Sequence, residues 1–474
     1  MTAGPCSATL PLVRSALPFA LLLIAAAPAS LSERVAADLA AASPGTRFGL
    51  VVADADGREV VALLPDQRFV PASNTKLFTT AALFASGIDL DAPDADGGAS
   101  VRLEPRGRAP DVVLSGHGDP RLSAAADCVA DCLATLADAV AARVRVVGDV
   151  VGDDSWFSDE RWSPGMSWNN IATPSGTGGS ALSVDDNEWA LTVAPGVPPQ
   201  GDGYYRVESR VVTGAATALG YDRMPGSDVV RVTGTVAAPT VLHLGVDDPA
   251  RYAAWRLAGM LRARGVRVMG AVVARHRPRD AGDDPGRRGN LAAHPPEPPA
   301  LARLVAPPLR DTATITNKVS QNLYAELLLR RVGRLRGTGS IADGQAAVAA
   351  MLAAAGVPRV AYDFADGSGM SSYNRVSPRG VVTFLRWAAV QPWGAAWRET
   401  LPTSGEGTLR RRFAGGPAVS AKTGTLNATN ALAGYLVAKS GRVLVFAAYA
   451  GDVPGDAGAA RAIDAALVRV AGEN

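Results

Sequence analysis

Ser73 and Lys76 are the first two residues of this chain whose types and spacing suit a chemical reaction. They precede a run of Leu, Phe and Ala residues that predicts a buried helix. Because positions three apart share a helix face, the two side chains would stand side by side at its first turn. A hydroxyl becomes a good nucleophile when a neighbour takes its proton, and a desolvated lysine can take it. The pair predicts a nucleophile and its base, but alone the same spacing is also typical of a surface pair.

A second polar pair, Ser320 and Asn322, lies on either side of Gln321. Positions two apart do not share a helix face. Both side chains can therefore enter one cleft only if this segment is a loop or an irregular turn before the helix that starts at Leu323. In such a cleft Ser320 could relay a proton, and Asn322 could form a hydrogen bond with a substrate amide. Alone, the triplet predicts nothing.

The third polar group, Lys422-Thr423-Gly424-Thr425, lies on a predicted strand. Side chains alternate along a strand, so Lys422 and Gly424 share one face, and the glycine lets another backbone or a ligand approach closely. Lys422 and Thr423 could bind a carboxylate. The Thr425 and Ser73 amides could form a pair of oxyanion donors, a kind of contact that stabilises a transition state by a few kcal/mol. The alternative for this segment alone is an exposed strand with a turn.

Together, and in this order, the three patterns are the motif set of penicillin-binding proteins and serine β-lactamases. Because 247 positions separate Ser73 from Ser320, far more than a β-lactamase needs, the chain resembles the class C low-molecular-weight penicillin-binding proteins, a family of D-Ala-D-Ala carboxypeptidases and endopeptidases. Gln321 departs from the family pattern, which often has Asp or Asn there. Other matching segments are Pro71-Ala72-Ser73, Gly118-Asp119-Pro120, Ser180-Ala181-Leu182-Ser183, Asp366-Gly367-Ser368-Gly369, Asn374-Arg375-Val376-Ser377-Pro378 and Leu401-Pro402.

The resemblance implies an α+β fold, in which a penicillin-binding or serine β-lactamase-like domain has helices flanking an antiparallel five-stranded sheet and carries a large, mostly β insertion. The strands predicted from the residues agree with this implied fold. Two valine-rich strands within 47–64 and three strands within 419–450 predict one antiparallel sheet built from both ends of the chain. The expected divisions are a signal peptide at 1–29, a catalytic domain at 30–90 and 300–474, and an inserted region of two small domains at 91–299.

The resemblance also implies a serine DD-peptidase that hydrolyses D-Ala-D-Ala, and peptide crosslinks of peptidoglycan, through an acyl-enzyme on Ser73. Stem peptides would be its substrates and β-lactams its covalent inhibitors, without a metal or organic cofactor. Two alternatives stay open: a serine β-lactamase-like hydrolase, which the long insertion disfavours, and a non-catalytic protein with this fold. The predicted catalytic residues are Ser73, Lys76, Ser320 and Asn322, and the predicted substrate-binding residues are Lys422, Thr423, Gly424 and Thr425.

Composition and the first residues predict where the protein works. The 47 basic and 45 acidic residues nearly balance, so neither nucleic acid nor an anionic membrane surface is predicted as a partner. Arg14, an apolar run over 17–27 and Ala27-Pro28-Ala29 resemble a secretory signal, although an uncleaved anchor is the alternative. The mature chain is expected to lack a stable membrane span and to be periplasmic or otherwise extracytoplasmic.

The cysteines and histidines leave one question open. Removal of the signal would remove Cys6 and leave Cys128 and Cys132, near a helix predicted over 129–142. Four positions apart, these two could form a disulfide in an oxidising compartment or could be two buried thiols. The spacing of the four histidines does not match that of metal ligands; they are His117, His243, His276 and His294.

Overall fold

The computed structural model describes residues 1–7, 29–291, 294 and 296–474, so the predicted signal segment at 1–29 lies largely outside the described residues. Helices and strands are numbered in chain order. No helix within the described ranges has both the length and the apolar character needed to cross a bilayer. The α-helices are α1 Leu31–Ala42, α2 Thr75–Phe84, α3 Leu133–Arg143, α4 Pro249–Ala263, α5 Leu309–Lys318, α6 Asn322–Arg334, α7 Ile341–Ala354, α8 Pro378–Ala389, α9 Gly394–Glu399 and α10 Ala459–Glu473.

The strands fall into one sheet near the chain ends and several in the middle of the chain. They are β1 Arg47–Ala53, β2 Glu59–Leu63, β3 Ser100–Glu104, β4 Asp111–Ser115, β5 Val146–Val147, β6 Val150–Ser158, β7 Glu188–Ala194, β8 Val197–Gln200, β9 Arg206–Thr213, β10 Ala218–Asp222, β11 Val229–Val236, β12 Thr240–Gly245, β13 Arg267–Val268, β14 Val272–Arg277, β15 Ala302–Arg303, β16 Tyr362–Asp363, β17 Arg375–Val376, β18 Val419–Leu426, β19 Thr429–Val437 and β20 Val443–Gly451.

One antiparallel sheet joins the two ends of the chain, in the order β18-β19-β20-β1-β2. Helices cover both of its faces. Because neighbouring side chains on a strand point to opposite faces, Val51 packs in the cluster that contains α2 and α8, whereas Leu50 and Val52 pack with α1 and α10. This double coverage explains why the strands are nearly continuous apolar runs, and the predicted α+β fold is confirmed.

Helix α2 is central, as the apolar run after Ser73 predicts, since all ten of its residues are buried. Phe78 packs against the rings of Phe364 and Phe384, each with a centroid distance of 4.8 Å. The structure differs at the start of the helix, because Ser73 lies on a 3-10 turn over Ala72–Asn74 that leads into α2. Ser73 and Lys76 are nevertheless close together, as predicted, because the 3-10 turn winds in the same direction as α2.

The middle of the chain forms its own sheets and a second apolar cluster. The largest sheet has the order β14-β6-β4-β3-β15, and smaller ones contain β12-β7-β8 and β10-β11-β9. Helices α3 and α4 pack with these strands around buried residues such as Trp189 and Leu257. The sheet ends close to α6, where the fully buried Arg330 donates to the carbonyls of Ser158 (2.5 Å) and Glu160 (3.2 Å). Arg330 thus ties the middle of the chain to the helix that follows Ser320.

Cys128 and Cys132 form a disulfide, which answers the question that the sequence left open. They are joined across a loop and do not lie on a helix. Asp131 inside this loop has a φ of 55°, a left-handed value that an α-helix cannot contain. Helix α3 therefore begins at Leu133, so the predicted helix start at 129 is wrong.

A buried polar network at Thr80 gives a test of this packing. The Thr80 hydroxyl donates to the carbonyl of Lys76 and accepts from Asn317 Nδ2 (3.1 Å) and Trp397 Nε1 (3.0 Å). Thr80→Val keeps the shape but deprives two buried N–H donors of an acceptor. We expect the free energy of unfolding to fall by about 2 kcal/mol or more, measured by urea denaturation.

The matched control is Thr314→Val on α5, where the half-buried hydroxyl makes the same kind of bond to the carbonyl of Arg310. This variant should stay within about 0.5 kcal/mol of the wild type. Equal losses in the two variants would show that the Thr80 network adds nothing beyond the helical hydroxyl bond.

Candidate active site

The Ser73 hydroxyl lies beside the Lys76 amine, with the Lys76 Nζ atom donating to Ser73 Oγ at 3.0 Å. The turn that carries Ser73 starts from a strained backbone, because Ala72 has a φ of 48°. A non-glycine residue keeps such a conformation only where its surroundings enforce it, and this occurs most often at functional sites. The local fold therefore fixes the serine and lysine as the pair that the sequence predicts.

The Lys76 side chain is completely buried, and its amine is fully engaged. Besides Ser73, it donates to Asn322 Oδ1 at 2.6 Å and to the carbonyl of Ser368 at 2.7 Å. Burial lowers the pKa of Lys76 to about 7, while the nearby carboxylates of Asp366 and Glu326 act in the opposite direction. At neutral pH a large fraction of this amine is uncharged, so it can accept a proton from Ser73 Oγ.

A second serine and lysine pair faces the first. Lys422 Nζ donates to Ser320 Oγ at 2.9 Å and to the carbonyl of Thr423 at 3.0 Å. Burial, and then the charge on Lys76, lower the pKa of Lys422 well below its ordinary value. Ser320 has a φ of 69°, so the segment before α6 is an irregular turn, which is the geometry that the spacing of Ser320 and Asn322 requires.

Asn322 is the first residue of α6 and joins three parts of the chain. Its Oδ1 atom accepts from Lys76, and its Nδ2 atom donates to the carbonyl of Ser175 at 2.9 Å. The two pairs, Ser73 with Lys76 and Ser320 with Lys422, are thus held on neighbouring elements, with Asn322 bridging to the middle of the chain.

Gly424 on β18 faces the turn that carries Ser73. A Cβ atom at this position would lie 2.6 Å from the Pro71 carbonyl oxygen and 3.2 Å from Ala72 Cβ. No side chain fits there without moving the turn that carries Ser73, so the glycine is required for close approach of the two backbones. The side chain of Lys422, on the same face of the strand, is buried and reaches Ser320.

Strand β18 is the edge strand of the sheet, and its free edge offers backbone donors. The N–H groups of Val419 and Ala421 bond to Ser404 Oγ (3.1 Å) and to the Pro402 carbonyl (3.0 Å), both outside the sheet. Because these directions alternate along a strand, the N–H groups of Thr423 and Thr425 point to the same free edge. Thr425 is exposed, so its amide direction suits an oxyanion donor.

The loop Asp366-Gly367-Ser368-Gly369 also contributes to the site. The sequence analysis identified this segment only as one that matches the family. Its Ser368 carbonyl accepts from Lys76, and its amides bond to the carboxylates of Asp366 and Glu326. Sequence patterns did not single out Glu326, although its position four residues after Asn322 places it on the same helix face. The four-residue spacing from Asn322 is therefore the sequence signal from which Glu326 could have been predicted.

The arrangement suits acyl transfer. It contains a hydroxyl beside a buried amine, a second hydroxyl beside a second amine, and backbone donors along a strand edge, which are the parts that such a reaction needs. In the described part of the chain, no cluster of three or more His, Cys, Asp or Glu residues is arranged to hold a metal ion.

Comparison with known proteins identifies the family of this chain. The model of the D-Ala-D-Ala carboxypeptidase 3 (S13) family matches residues 31–474. A D-alanyl-D-alanine carboxypeptidase of Actinomadura sp. is 32% identical over 435 residues, which are 84% of this chain and 77% of that protein.

Crystal structures of penicillin binding protein 4 from Haemophilus influenzae have the same fold. One has a TM-score of 0.72 at 22% identity, and another, complexed with a β-lactam, has a TM-score of 0.65 at 20% identity. Each comparison covers 88% of this chain and 93% of the other. The match of the family model over nearly the whole chain, together with the identity to the Actinomadura carboxypeptidase, shows that this chain belongs to the D-Ala-D-Ala carboxypeptidase 3 (S13) family.

Proposed function

We propose that this protein is a serine D-Ala-D-Ala carboxypeptidase that acts on peptidoglycan stem peptides through an acyl-enzyme on Ser73. The observation that carries the proposal is the 3.0 Å hydrogen bond between Ser73 Oγ and the buried Lys76 amine. The Actinomadura relative, named a D-alanyl-D-alanine carboxypeptidase, supports the substrate class.

In the first step, Ser73 Oγ attacks the carbonyl carbon of the penultimate D-Ala while Lys76 Nζ takes the hydroxyl proton. The amides of Ser73 and Thr425 donate to the oxygen of the tetrahedral intermediate. The peptide C–N bond then breaks, and Ser320 passes a proton to the leaving amine of the terminal D-Ala. Its contact with Lys422 supports this role, because the lysine can resupply the proton.

In the second step, water attacks the ester on Ser73 and gives a proton to the Ser320 and Lys422 pair, which lost one in the first step. The ester C–O bond breaks, the acyl group leaves as the carboxylic acid, and Lys76 returns its proton to Ser73 Oγ. Substrate is held at the strand edge. Lys422, Thr423 and Thr425 bind the terminal carboxylate, while Gly424 lets the strand lie close to Ser73. An arriving carboxylate favours the charged form of Lys422, which burial alone disfavours. Asn322 holds the substrate amide and the Lys76 amine.

β-Lactams would form the same kind of ester with Ser73. A crystal structure of Haemophilus influenzae penicillin binding protein 4 holds a β-lactam, and its fold is that of this chain.

We also propose an extracytoplasmic location, supported by the predicted signal segment, the disulfide and the nature of the substrate.

We propose the division into a catalytic domain at 30–90 and 300–474 with an insertion at 91–299. The five-stranded sheet supports it, since its strands come from both sides of the insertion. The pairing of β15 (Ala302–Arg303) with β3 suggests that the chain returns to the catalytic domain a few residues after 300.

The Ser73→Ala variant tests the nucleophile. A fluorescent penicillin should label the wild-type protein covalently and leave Ser73→Ala unlabelled, because the variant has no oxygen to form the ester. Gel fluorescence and intact-protein mass spectrometry measure the label. Ser86→Ala is the matched control, since Ser86 follows the same helix and its hydroxyl accepts from the Ile88 amide. Labelling of Ser73→Ala at the control level would exclude Ser73 as the nucleophile.

The pH dependence of D-Ala release tests the base. Since Lys76 has a pKa of about 7 and acts in its uncharged form, kcat/KM should fall as the pH is lowered through about 7 and level off above it. Release of D-Ala from a pentapeptide, followed between about pH 5 and about pH 9, gives this profile. A plateau that continues down to about pH 5 would contradict the role given to Lys76.

A further inference from the structure

We infer that Glu326 is a positioning residue for the Lys76 amine. Its carboxylate holds the Gly367–Ser368 backbone against that amine and keeps a negative charge beside it. The inference rests on the proposed function, because it concerns the group that takes the proton from Ser73. Nothing in the motif patterns assigns a role to this glutamate.

Glu326 and Lys76 contact the same residue from two sides. Glu326 Oε1 accepts from the Ser368 amide at 2.9 Å and from the Gly367 amide at 3.2 Å. The Ser368 carbonyl in turn accepts from Lys76 Nζ at 2.7 Å. The carboxylate therefore fixes the backbone unit that presents an acceptor to the amine.

The position of Glu326 on α6 follows from that of Asn322. The two residues are four apart, so they lie one above the other on the helix face that looks toward Lys76. Asn322 Oδ1 accepts from Lys76 at 2.6 Å, so one face of α6 holds the amine directly through Asn322 and indirectly through Glu326.

The charged groups around Glu326 come from several elements. Lys76 faces it from α2, Asp366 from the loop and Arg330 from the next turn of α6. Glu160 and Arg161 line the same narrow crevice, of about 20 Å³, together with Asn322 and Ser368 among others. Glu326 is half-buried in this crevice, so solvent screens the field of its carboxylate on the amine only in part.

Burial and the neighbouring Asp366 raise the pKa of Glu326 to about 7, while the loop amides act in the opposite direction. The negative charge of Glu326 raises the pKa of Lys76, which burial lowers. Both groups thus titrate close to neutral pH. Without the carboxylate, the amine would lose its proton at a lower pH and would be a weaker base.

The Glu326→Gln variant separates this role from a structural one. Glutamine keeps an Oε1 acceptor for both loop amides and removes the charge. We expect the acid limb of the kcat/KM profile to move to lower pH by about one unit, because the ammonium form of Lys76 loses a stabilising charge. A merely structural role would change the rate and leave the position of the limb unmoved.

Two further variants complete the series. Glu326→Asp withdraws the charge by one carbon, so the limb should move in the same direction by a smaller amount. Glu59→Gln is the matched control, since Glu59 lies on β2 at the far edge of the sheet and pairs with Arg379. Its limb should coincide with that of the wild type.

An acid limb that stays at the wild-type position in Glu326→Gln or in Glu326→Asp would overturn the inference, so either variant alone decides it if the other does not fold. The rate of acylation by a penicillin across the same pH range gives a second profile. If the wild-type protein releases no D-Ala, the proposed function fails. If the wild-type protein releases D-Ala and the acid limbs of the variants' kcat/KM profiles do not move, only the role proposed for Glu326 fails.

Discussion

The structure depends on keeping one lysine amine out of water next to one serine hydroxyl. An ammonium group in this position is costly because burial disfavours the charged form. The amine is therefore given three acceptors, on Ser73, Asn322 and Ser368, and two carboxylates stand nearby. Full burial without them would leave an amine too weak to take a proton, and exposure would leave it permanently charged.

The surrounding helices and strands keep the Lys76 amine buried and hold its acceptors and the two carboxylates close to it. The five-stranded sheet gives a rigid wall, α2 brings Lys76 into the core, and α6 supplies Asn322 and Glu326 from one face. The middle of the chain closes the site through the carbonyl of Ser175, which accepts from Asn322, and through Arg330. Two of the backbone positions with positive φ lie where these hydroxyls are presented, namely Ala72, just before Ser73, and Ser320 itself.

Much of the fold and site could be predicted from local patterns. Spacing alone placed Ser73 beside Lys76, and the alternation of a strand put Lys422 and Gly424 on one face. The contacts that tune the site could not be predicted, because they join residues far apart in the chain, such as Ser368 with Lys76 and Ser175 with Asn322. The helix start at 129 was wrong because the disulfide loop outweighs a favourable local pattern, and propensity does not register such a constraint.

The most direct test is an NMR titration of the lysine side chains. The chain has four lysines, Lys76, Lys318, Lys422 and Lys439, so labelled lysine gives few signals to assign. The account predicts that one signal, absent from Lys76→Arg, titrates with a pKa of about 7. A Lys76 signal that titrates near the ordinary lysine pKa of about 10.4 would contradict it, because the amine would then be charged and unable to accept the serine proton.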